Sequence, residues 1–245
     1  MDAKFDRRRA LAALGTVSLG GLLAACGGDG DDSGGSVTTT QGETATVEPK
    51  TTPSGASDEM FDSAATCTVT PELTEGPFYF DVDRIRSDIT EDREGTPLRV
   101  ALRVRDAGSC EPIENAVVDI WHCDALGSYS GFDDQPDRTT YLRGAQVTNG
   151  QGVVQFRTIY PGWYPGRTVH IHAKVHLDNQ TVLTTQLFTT RAYDDKVFAR
   201  APYTEDPGRD TFNEDDGIFD ESLVMTLSDD GGGVRGVLTF DVQRG

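Results

Sequence analysis

The most constraining feature of this sequence is a period-two alternation of apolar and polar residues in short runs, which begins after Cys67 and continues towards the C-terminus. Successive side chains of a β-strand point to opposite faces, so each run predicts a strand with one buried face. Clusters of Gly, Asn and Asp separate the runs, and no long amphipathic helix pattern interrupts them. We therefore predict an all-β fold with a single β-sandwich domain over residues 67–245. The predicted strands are 98–105, 116–122, 153–158, 168–177, 181–189, 223–227 and 234–242.

The N-terminus has the pattern of an export signal. Lys4 and the arginines at 7–9 precede an apolar run at 10–25, which ends at Cys26. Its sixteen residues are fewer than the roughly 20 that span a bilayer as a helix. The adjacent arginines resemble a twin-arginine signal, and the string Leu-Ala-Ala-Cys resembles a lipobox, whose cysteine is lipidated. We predict that residues 1–25 are a signal peptide and that Cys26 is lipidated. An uncleaved anchor helix with a chance cysteine is the alternative.

Residues 26–66 differ in composition from the rest of the chain. Gly, Ser, Thr, Asp and Glu predominate there, and large apolar residues are almost absent. This composition is typical of a flexible linker, whose end-to-end distance at this length is on the order of 35 Å. We therefore expect an exported, extracytoplasmic protein that is anchored to the membrane by lipid and held clear of its surface.

The charge of the chain argues against one class of partner. The sequence has 40 acidic and 22 basic side chains, a formal net charge of −18. Nucleic-acid binding depends on clustered Lys and Arg that displace counterions from phosphate, so no nucleic-acid partner is expected. Acidic clusters such as 214–216 are predicted to be solvated turns, because no EF-hand spacing accompanies them.

Three cysteines lie in the predicted domain, Cys67, Cys110 and Cys123. In an oxidising compartment the simplest arrangement is one disulfide and one free thiol. An extended strand at 116–122 would hold Cys110 and Cys123 beyond the ~7 Å Cα separation that a disulfide allows. We therefore expect Cys67 to form the bridge, with Cys123 preferred over Cys110 as its partner. No CxxC spacing supports a zinc site.

Two histidines are spaced for a metal site. His170 and His172 are two residues apart in a predicted strand, so their side chains share a face about 6.6 Å apart. His176 shares that face but is roughly 13 Å from His172, too distant to join them. Solvent-facing histidines on an exposed strand are the alternative, as is a copper or zinc site of another β-sandwich enzyme.

Tyr129 and Tyr164 lie in the Gly-rich and Pro-rich strings that precede these histidines. A phenolate oxygen is a hard anionic donor that favours a ferric ion, and two phenolates with two neutral imidazoles leave a net charge near +1. We therefore predict an Fe(III) cofactor. Buried aromatic side chains without a metal are the alternative.

Several short strings occur in order along the predicted domain. A tryptophan-bearing strand leads to Gly-Ser-Tyr-Ser at 127–130, and a glycine-rich turn follows at 148–152. Pro-Gly-Trp-Tyr-Pro at 161–165 and Arg167 then precede His-Ile-His at 170–172. The remaining strings are Glu-Gly-Pro-Phe-Tyr at 75–79, Leu-Arg-Gly at 142–144 and Leu-Thr-Thr-Gln at 183–186. As an ordered set they resemble the intradiol ring-cleavage dioxygenases, the non-haem ferric family that includes the catechol and protocatechuate dioxygenases. We expect the sandwich to be prealbumin- or immunoglobulin-like.

The resemblance implies a site and an activity. The implied iron ligands are Tyr129, Tyr164, His170 and His172. Tyr164 would be the axial ligand that leaves when substrate binds. Arg167 would stabilise carbanionic charge on the ring with a permanently protonated guanidinium, and Gln186 would be a polar residue close to the metal. The implied reaction cleaves a catechol-type aromatic with O₂ to a muconate-type diacid.

Two departures from the family pattern limit what the resemblance implies. Only five residues separate Tyr164 from His170, where relatives carry a longer insertion, so the catechol derivative is left open. Residues 27–65 are predicted to be linker where the catechol branch has a helical dimerisation region, so no oligomeric state is predicted. A non-catalytic transthyretin-like binding or stalk module is the alternative function, because the strings at 113–117, 149–152 and 161–162 also occur in such modules.

Overall fold

The computed structural model describes the backbone of Gly35–Thr38 and Thr44–Val47, the single residue Phe61, and residues 67–80, 82, 84–132, 139–177 and 180–244. The predicted signal peptide, Cys26 and most of the predicted linker lie outside the described residues. Within the unit Met1–Thr51, β1 (Gly35–Thr38) pairs with β2 (Thr44–Val47) in an antiparallel two-stranded sheet.

The unit Thr52–Gly245 is a sandwich of two four-stranded sheets, which confirms the predicted all-β class. The strands are β3 (Pro97–Asp106), β4 (Val117–Trp121), β5 (Arg143–Val147), β6 (Val153–Ile159), β7 (His170–Leu177), β8 (Gln180–Phe188), β9 (Thr226–Asp230) and β10 (Gly233–Val242). The first sheet has the order β6-β3-β10-β9, and the second has the order β5-β4-β7-β8. One α-helix, α1 (Arg191–Phe198), follows β8, and 3₁₀ turns occupy Tyr203–Glu205, Asn213–Asp215 and Glu221–Leu223. No helix in the described ranges is long and apolar enough to span a bilayer.

Alternate residues of the central strands meet between the two sheets and form the core. The inner positions are Leu98, Val100, Leu102 and Val104 on β3 and Ile171, Ala173 and Val175 on β7. All of them are buried, with at most 1% of their surface exposed. The period-two pattern of the sequence therefore arises because one face of each strand is buried in the sandwich.

The opposite, outer face of the second sheet carries a line of large side chains that crosses all four strands. The strand register pairs Arg143 of β5 with Trp121 of β4. Trp121 pairs in turn with His172 of β7, and His172 pairs with Gln186 of β8. We call these four residues the transverse row. Each of them is at most 1% exposed although it lies outside the core, so other parts of the chain must cover this face.

Residues 70–80, which we call the cover segment, lie across the outer face of the second sheet. The segment has no regular secondary structure but is held by hydrogen bonds to β8. The backbone N–H of Leu73 donates to the Thr184 carbonyl at 2.9 Å, and the Thr185 hydroxyl donates to the Pro71 carbonyl at 2.8 Å. These two hydrogen bonds attach the cover segment to β8, the edge strand next to β7.

The disulfide joins Cys67 to Cys110, with their Cα atoms 5.7 Å apart, and Cys123 is a buried free thiol. The prediction of one bridge and one free thiol is confirmed, but the preferred pairing of Cys67 with Cys123 is wrong. Cys110 lies in the turn after β3, which approaches the start of the cover segment. Cys123 follows β4 directly and packs with Trp121 and Tyr129, so it cannot reach Cys67.

Candidate active site

The four predicted metal ligands come together on the outer face of the second sheet. The Nε2 atoms of His170 and His172 are 3.1 Å apart, and the Tyr164 hydroxyl is 2.9 Å from the Nε2 atom of His170. The ring of Tyr129 lies beside them, with its centroid 5.8 Å from the Tyr164 ring and 6.2 Å from the His172 ring. Two nitrogen and two oxygen donors thus cluster in one place.

Both imidazoles are held in the neutral form, which is the form that can bind a metal. The Nδ1–H of His170 donates to the Thr168 carbonyl at 2.6 Å, and because a carbonyl only accepts, the lone pair of this ring lies on Nε2. Burial, aided by the positive charge of Arg167, lowers the pKa of His170 to about 3. Burial also lowers the pKa of His172 well below its ordinary range. The His172 ring stacks on Trp121 with centroids 4.9 Å apart and an interplanar angle of 8°, which fixes its orientation.

The two phenols have different environments. Tyr129 is 2% exposed, and its buried hydroxyl has no hydrogen-bond partner in the described part of the chain. Tyr164 is less buried, and burial raises the pKa of both phenols. A buried hydroxyl without a partner is costly, and a cation between these donors would satisfy it. Because anionic oxygen donors suit a hard, highly charged ion, the donor set fits Fe(III).

The loops that carry the two tyrosines pack against each other through glycine. Gly127 has φ +83°, and a Cβ atom there would stand 2.3 Å from the carbonyl oxygen of Trp163. The backbone N–H of Gly162 donates to the Asp124 carbonyl at 2.9 Å. Only glycine at position 127 allows this close approach of the two backbones. The distance between the Tyr129 and Tyr164 side chains is therefore fixed by backbone contacts.

The cover segment forms one wall of the site. Phe78 stacks on Tyr129 with ring centroids 4.4 Å apart. Tyr79 contacts the ring of Trp121 at 4.6 Å. Gly76 has φ +72°, and a Cβ atom there would lie 3.2 Å from the Cε1 atom of His172. The string at 75–79 thus has a structural role, since it encloses the ligand cluster.

Arg167 and Gln186, the other two predicted site residues, lie next to this cluster. The backbones of Tyr164 and Arg167 form an isolated antiparallel bridge, and the guanidinium lies near enough to the Tyr164 hydroxyl to favour its ionised form and so partly offset the rise in its pKa caused by burial. Arg167 donates from Nη2 to the side-chain oxygen of Gln186 at 2.5 Å. Gln186 in turn donates to the Thr74 carbonyl of the cover segment at 2.9 Å. The position of the guanidinium is therefore set from β8 and from the cover segment.

Asp216 lies at the site although no sequence pattern predicts it there. Its side chain is only 2% exposed, and its Oδ2 atom accepts from Arg167 Nε at 2.9 Å and from the Thr168 backbone N–H at 3.0 Å. The prediction of a solvated turn is wrong for this residue. Burial raises the pKa of its carboxyl, but hydrogen bonds from the backbone N–H groups of Ile218 and Thr168 and from Arg167 outweigh burial and lower it. No local signal could have found it, because the contact joins residues 49 apart.

If the site holds iron and catalyses the reaction that the resemblance implies, Asp216→Asn should lower kcat by roughly 10- to 100-fold while iron binding is retained. The reason is that Asp216 supplies a charge-assisted hydrogen bond to Arg167, which is worth about 1.5–3 kcal/mol. Steady-state kinetics and iron analysis of the purified variant measure both effects. Asp215→Asn is the matched control, because the neighbouring carboxylate is exposed. A wild-type kcat in Asp216→Asn would show that Arg167 is positioned without it.

The sequence matches a known family over most of the domain. A family model described as Dioxygenase matches residues 70–211. An intradiol ring-cleavage dioxygenase from Tetranychus urticae is 36% identical to this chain, and its structure superposes with a TM-score of 0.70 over 72% of this chain and 95% of that chain. The chain belongs to the intradiol ring-cleavage dioxygenase family. The family predicted from the ordered strings is therefore confirmed.

Further relatives show how much of the family's length is present. The dioxygenase domain of a dioxygenase carbohydrate-binding protein fusion from Streptomyces sp. SirexAA-E is 34% identical, with a TM-score of 0.57 over 73% of this chain and 100% of that chain. Catechol 1,2-dioxygenase of Acinetobacter baylyi is 31% identical over 157 residues, which are 53% of this chain and 50% of that protein. The chain spans about half the length of the curated relatives that it matches.

The candidate site of this member of the family extends beyond the segment that the family model covers. All six site residues predicted from the sequence lie within 70–211. Asp216, which holds Arg167, lies after that segment. The C-terminal part of the chain therefore contributes to the site as well as to the first sheet.

Proposed function

We propose that this protein is a non-haem Fe(III) intradiol dioxygenase that cleaves catechol-type aromatics with O₂ to muconate-type diacids. The observation that carries the proposal is the convergence of His170, His172, Tyr129 and Tyr164 with Arg167 beside them. Both oxygen atoms of O₂ enter the product, so a catechol C₆H₆O₂ gives a muconic acid C₆H₆O₄ and no reductant is consumed.

The residues have distinct roles in this proposal. The four side chains would hold a ferric ion, whose chemistry when bound would be to make a catecholate ring reactive towards O₂. His170 and His172 would hold it as neutral imidazoles, and Tyr129 and Tyr164 as phenolates. Tyr164 is the less buried of the two phenols, which supports a role as the side chain that would take up a proton when substrate binds. Trp121 and the cover segment exclude bulk water from the buried imidazole of His172.

Arg167 supplies positive charge where negative charge develops on the substrate ring. The guanidinium lies beside Tyr164 and is held by Asp216 and Gln186. A donor that is fixed before the reaction stabilises developing charge without having to reorganise. Arg167 is therefore the residue to which we assign stabilisation of the carbanionic ring carbon that meets O₂.

The purified, iron-loaded protein is expected to contain about one iron per chain and to absorb visible light through tyrosinate-to-ferric charge transfer. It should consume one O₂ per catechol and release a colourless muconic acid without added reductant. A panel of substituted catechols, oxygen uptake and product analysis test this expectation. A yellow semialdehyde, or activity that depends on ferrous iron, would contradict intradiol cleavage. No oxygen uptake with any catechol would favour a binding module of the same fold.

We also propose that the protein is exported and anchored to the membrane through lipid on Cys26. The arginines at 7–9, the apolar run at 10–25 and the lipobox-like string support this location. The disulfide between Cys67 and Cys110 also supports it, because such bridges persist in oxidising compartments.

Cys26→Ser is expected to move the protein from the membrane fraction to the soluble exported fraction. Several acyl chains on one cysteine anchor a protein firmly to a membrane. Without them, the sequence of the linker offers no apolar segment that could take their place. Cell fractionation with immunodetection measures the change, and Ser33→Ala is a control substitution in the same segment. Unchanged membrane association of Cys26→Ser would rule out lipidation at this residue.

A further inference from the structure

Arg143 is a buried cation at the β5 end of the transverse row. It is 1% exposed, and no carboxylate forms an ion pair with it among the described residues. Its guanidinium carbon lies 4.2 Å from the ring centroid of Phe80, 5.7 Å from that of Phe132 and 5.8 Å from that of Tyr129. A positive charge is thus held among the aromatic rings that surround one of the metal ligands.

The hydrogen bonds of Arg143 are directed at the turn that carries Tyr129. Its Nε donates to the Ser130 hydroxyl at 2.7 Å, and its Nη2 donates to the Ser130 carbonyl at 2.9 Å. The Ser130 hydroxyl donates in turn to the Tyr141 carbonyl at 2.7 Å. Because the planar guanidinium binds two atoms of Ser130 at once, it fixes the direction of the backbone next to Tyr129.

The third guanidinium nitrogen of Arg143, Nη1, indicates a role for the positive charge. Nη1 is buried and has no hydrogen-bond partner in the part of the chain that the structure describes. A buried cation is unfavourable unless negative charge lies near it, and the neighbours that offset its burial are first Tyr129 and then Asp119. Burial lowers the pKa of Arg143 to about 10, and Tyr129 is the neighbour that offsets this effect most, so the guanidinium remains protonated at neutral pH.

We propose that Arg143 is the positioning residue of Tyr129: it fixes the turn that carries this ligand, and its buried charge stabilises the phenolate that a ferric ion binds. The inference rests on the proposed function. Arg143 contacts neither substrate nor metal in this proposal and acts through Tyr129. The transverse row then has a cation near each end, Arg143 beside Tyr129 and Arg167 beside Gln186.

The test compares Arg143→Met, Arg143→Lys and Ser130→Ala in the iron-loaded protein. Arg143→Met removes the charge and both hydrogen bonds. The visible band should move to longer wavelength, because loss of the positive charge raises the energy of the phenolate electrons. Iron affinity should fall by about 10- to 100-fold, the usual cost of removing an outer partner of a metal ligand. Arg143→Lys keeps the positive charge but lacks the planar guanidinium that donates two hydrogen bonds to Ser130. Its visible band should therefore stay close to that of the wild type, while its iron affinity should fall.

Arg105→Met is the matched control, because Arg105 is also largely buried but pairs with Asp241 on the first sheet. It should keep the wild-type band and iron affinity even if the melting temperature falls. If Arg143→Met does not fold, Arg143→Lys and Ser130→Ala test the positioning role through iron affinity. A wild-type band and iron affinity in folded Arg143→Met, or wild-type iron affinity in both other variants, would overturn the inference. A wild-type protein without a visible band would instead refute the proposed function.

Discussion

His170→Ala and His172→Ala are each expected to lose iron and the visible band. Each substitution removes one of four donors from a buried cluster whose Nε2 atoms are 3.1 Å apart. Loss of a direct ligand should cost more than the roughly 10- to 100-fold in affinity that loss of an outer partner costs. Iron per chain after dialysis, together with the absorption spectrum, measures the effect.

His176→Ala is the matched control for these variants. His176 lies on β7 near its end, and its Nδ1 pairs with the Thr181 hydroxyl, away from the ligand cluster. It should retain iron and colour.

Tyr129→Phe and Tyr164→Phe should each shift or bleach the band, because each removes one phenolate. Wild-type iron and colour in all four ligand variants would refute the assignment.

Arg167→Ala is expected to keep iron and colour but to lose turnover by about two to three orders of magnitude. The magnitude is that of removing a fixed donor from an oxyanion site. The loss should appear in kcat more than in KM, because the charge that Arg167 stabilises develops only during the reaction. Steady-state oxygen uptake measures the effect on kcat, and stopped-flow spectra of substrate binding measure the effect on substrate affinity.

Arg191→Ala controls for the loss of an arginine at the protein surface, since Arg191 is exposed and pairs with Glu214. Arg167→Lys shows whether charge alone is sufficient, because lysine cannot contact Asp216 and Gln186 in the same planar arrangement. Arg167→Ala with a turnover within a few-fold of wild type would refute the assigned role. Loss of iron in the same variant would instead make Arg167 part of the metal-binding structure.

The sequence predicts the sandwich because burial of one face of each strand makes apolar and polar residues alternate along the chain. This alternation can be read within each strand, without knowledge of contacts between distant residues. It also predicts that His170 and His172 share a face, for the same reason. β5 has no comparable signal: of its residues Arg143–Val147, one is a buried arginine and one a glycine. The short helix α1 is likewise missed, because eight residues with charges on several sides lack a clear apolar stripe. The predicted strand 223–227 starts at the last residue of the 3₁₀ turn Glu221–Leu223, whereas β9 itself runs from Thr226 to Asp230.

Contacts between distant parts of the chain were harder to predict. The partner of Cys67 depends on where the cover segment begins, and a strand pattern does not contain that information. The ion pair of Asp216 with Arg167 joins a loop after α1 to the loop before β7. Tyr129 and Tyr164 could be assigned because ordered strings resembled a family, whereas spacing alone could not bring them together.

The position of the site outside the sandwich has a consequence for directed evolution. Along β7, the odd-numbered residues Ile171, Ala173 and Val175 lie in the core, whereas the even-numbered residues His170 and His172 face the candidate site. Selection for thermal tolerance can therefore act on the codons of the core positions without changing those of the two histidines. A library that varies the cover segment and leaves the odd-numbered positions of β7 unchanged would explore new substrates on a scaffold whose foldability is retained.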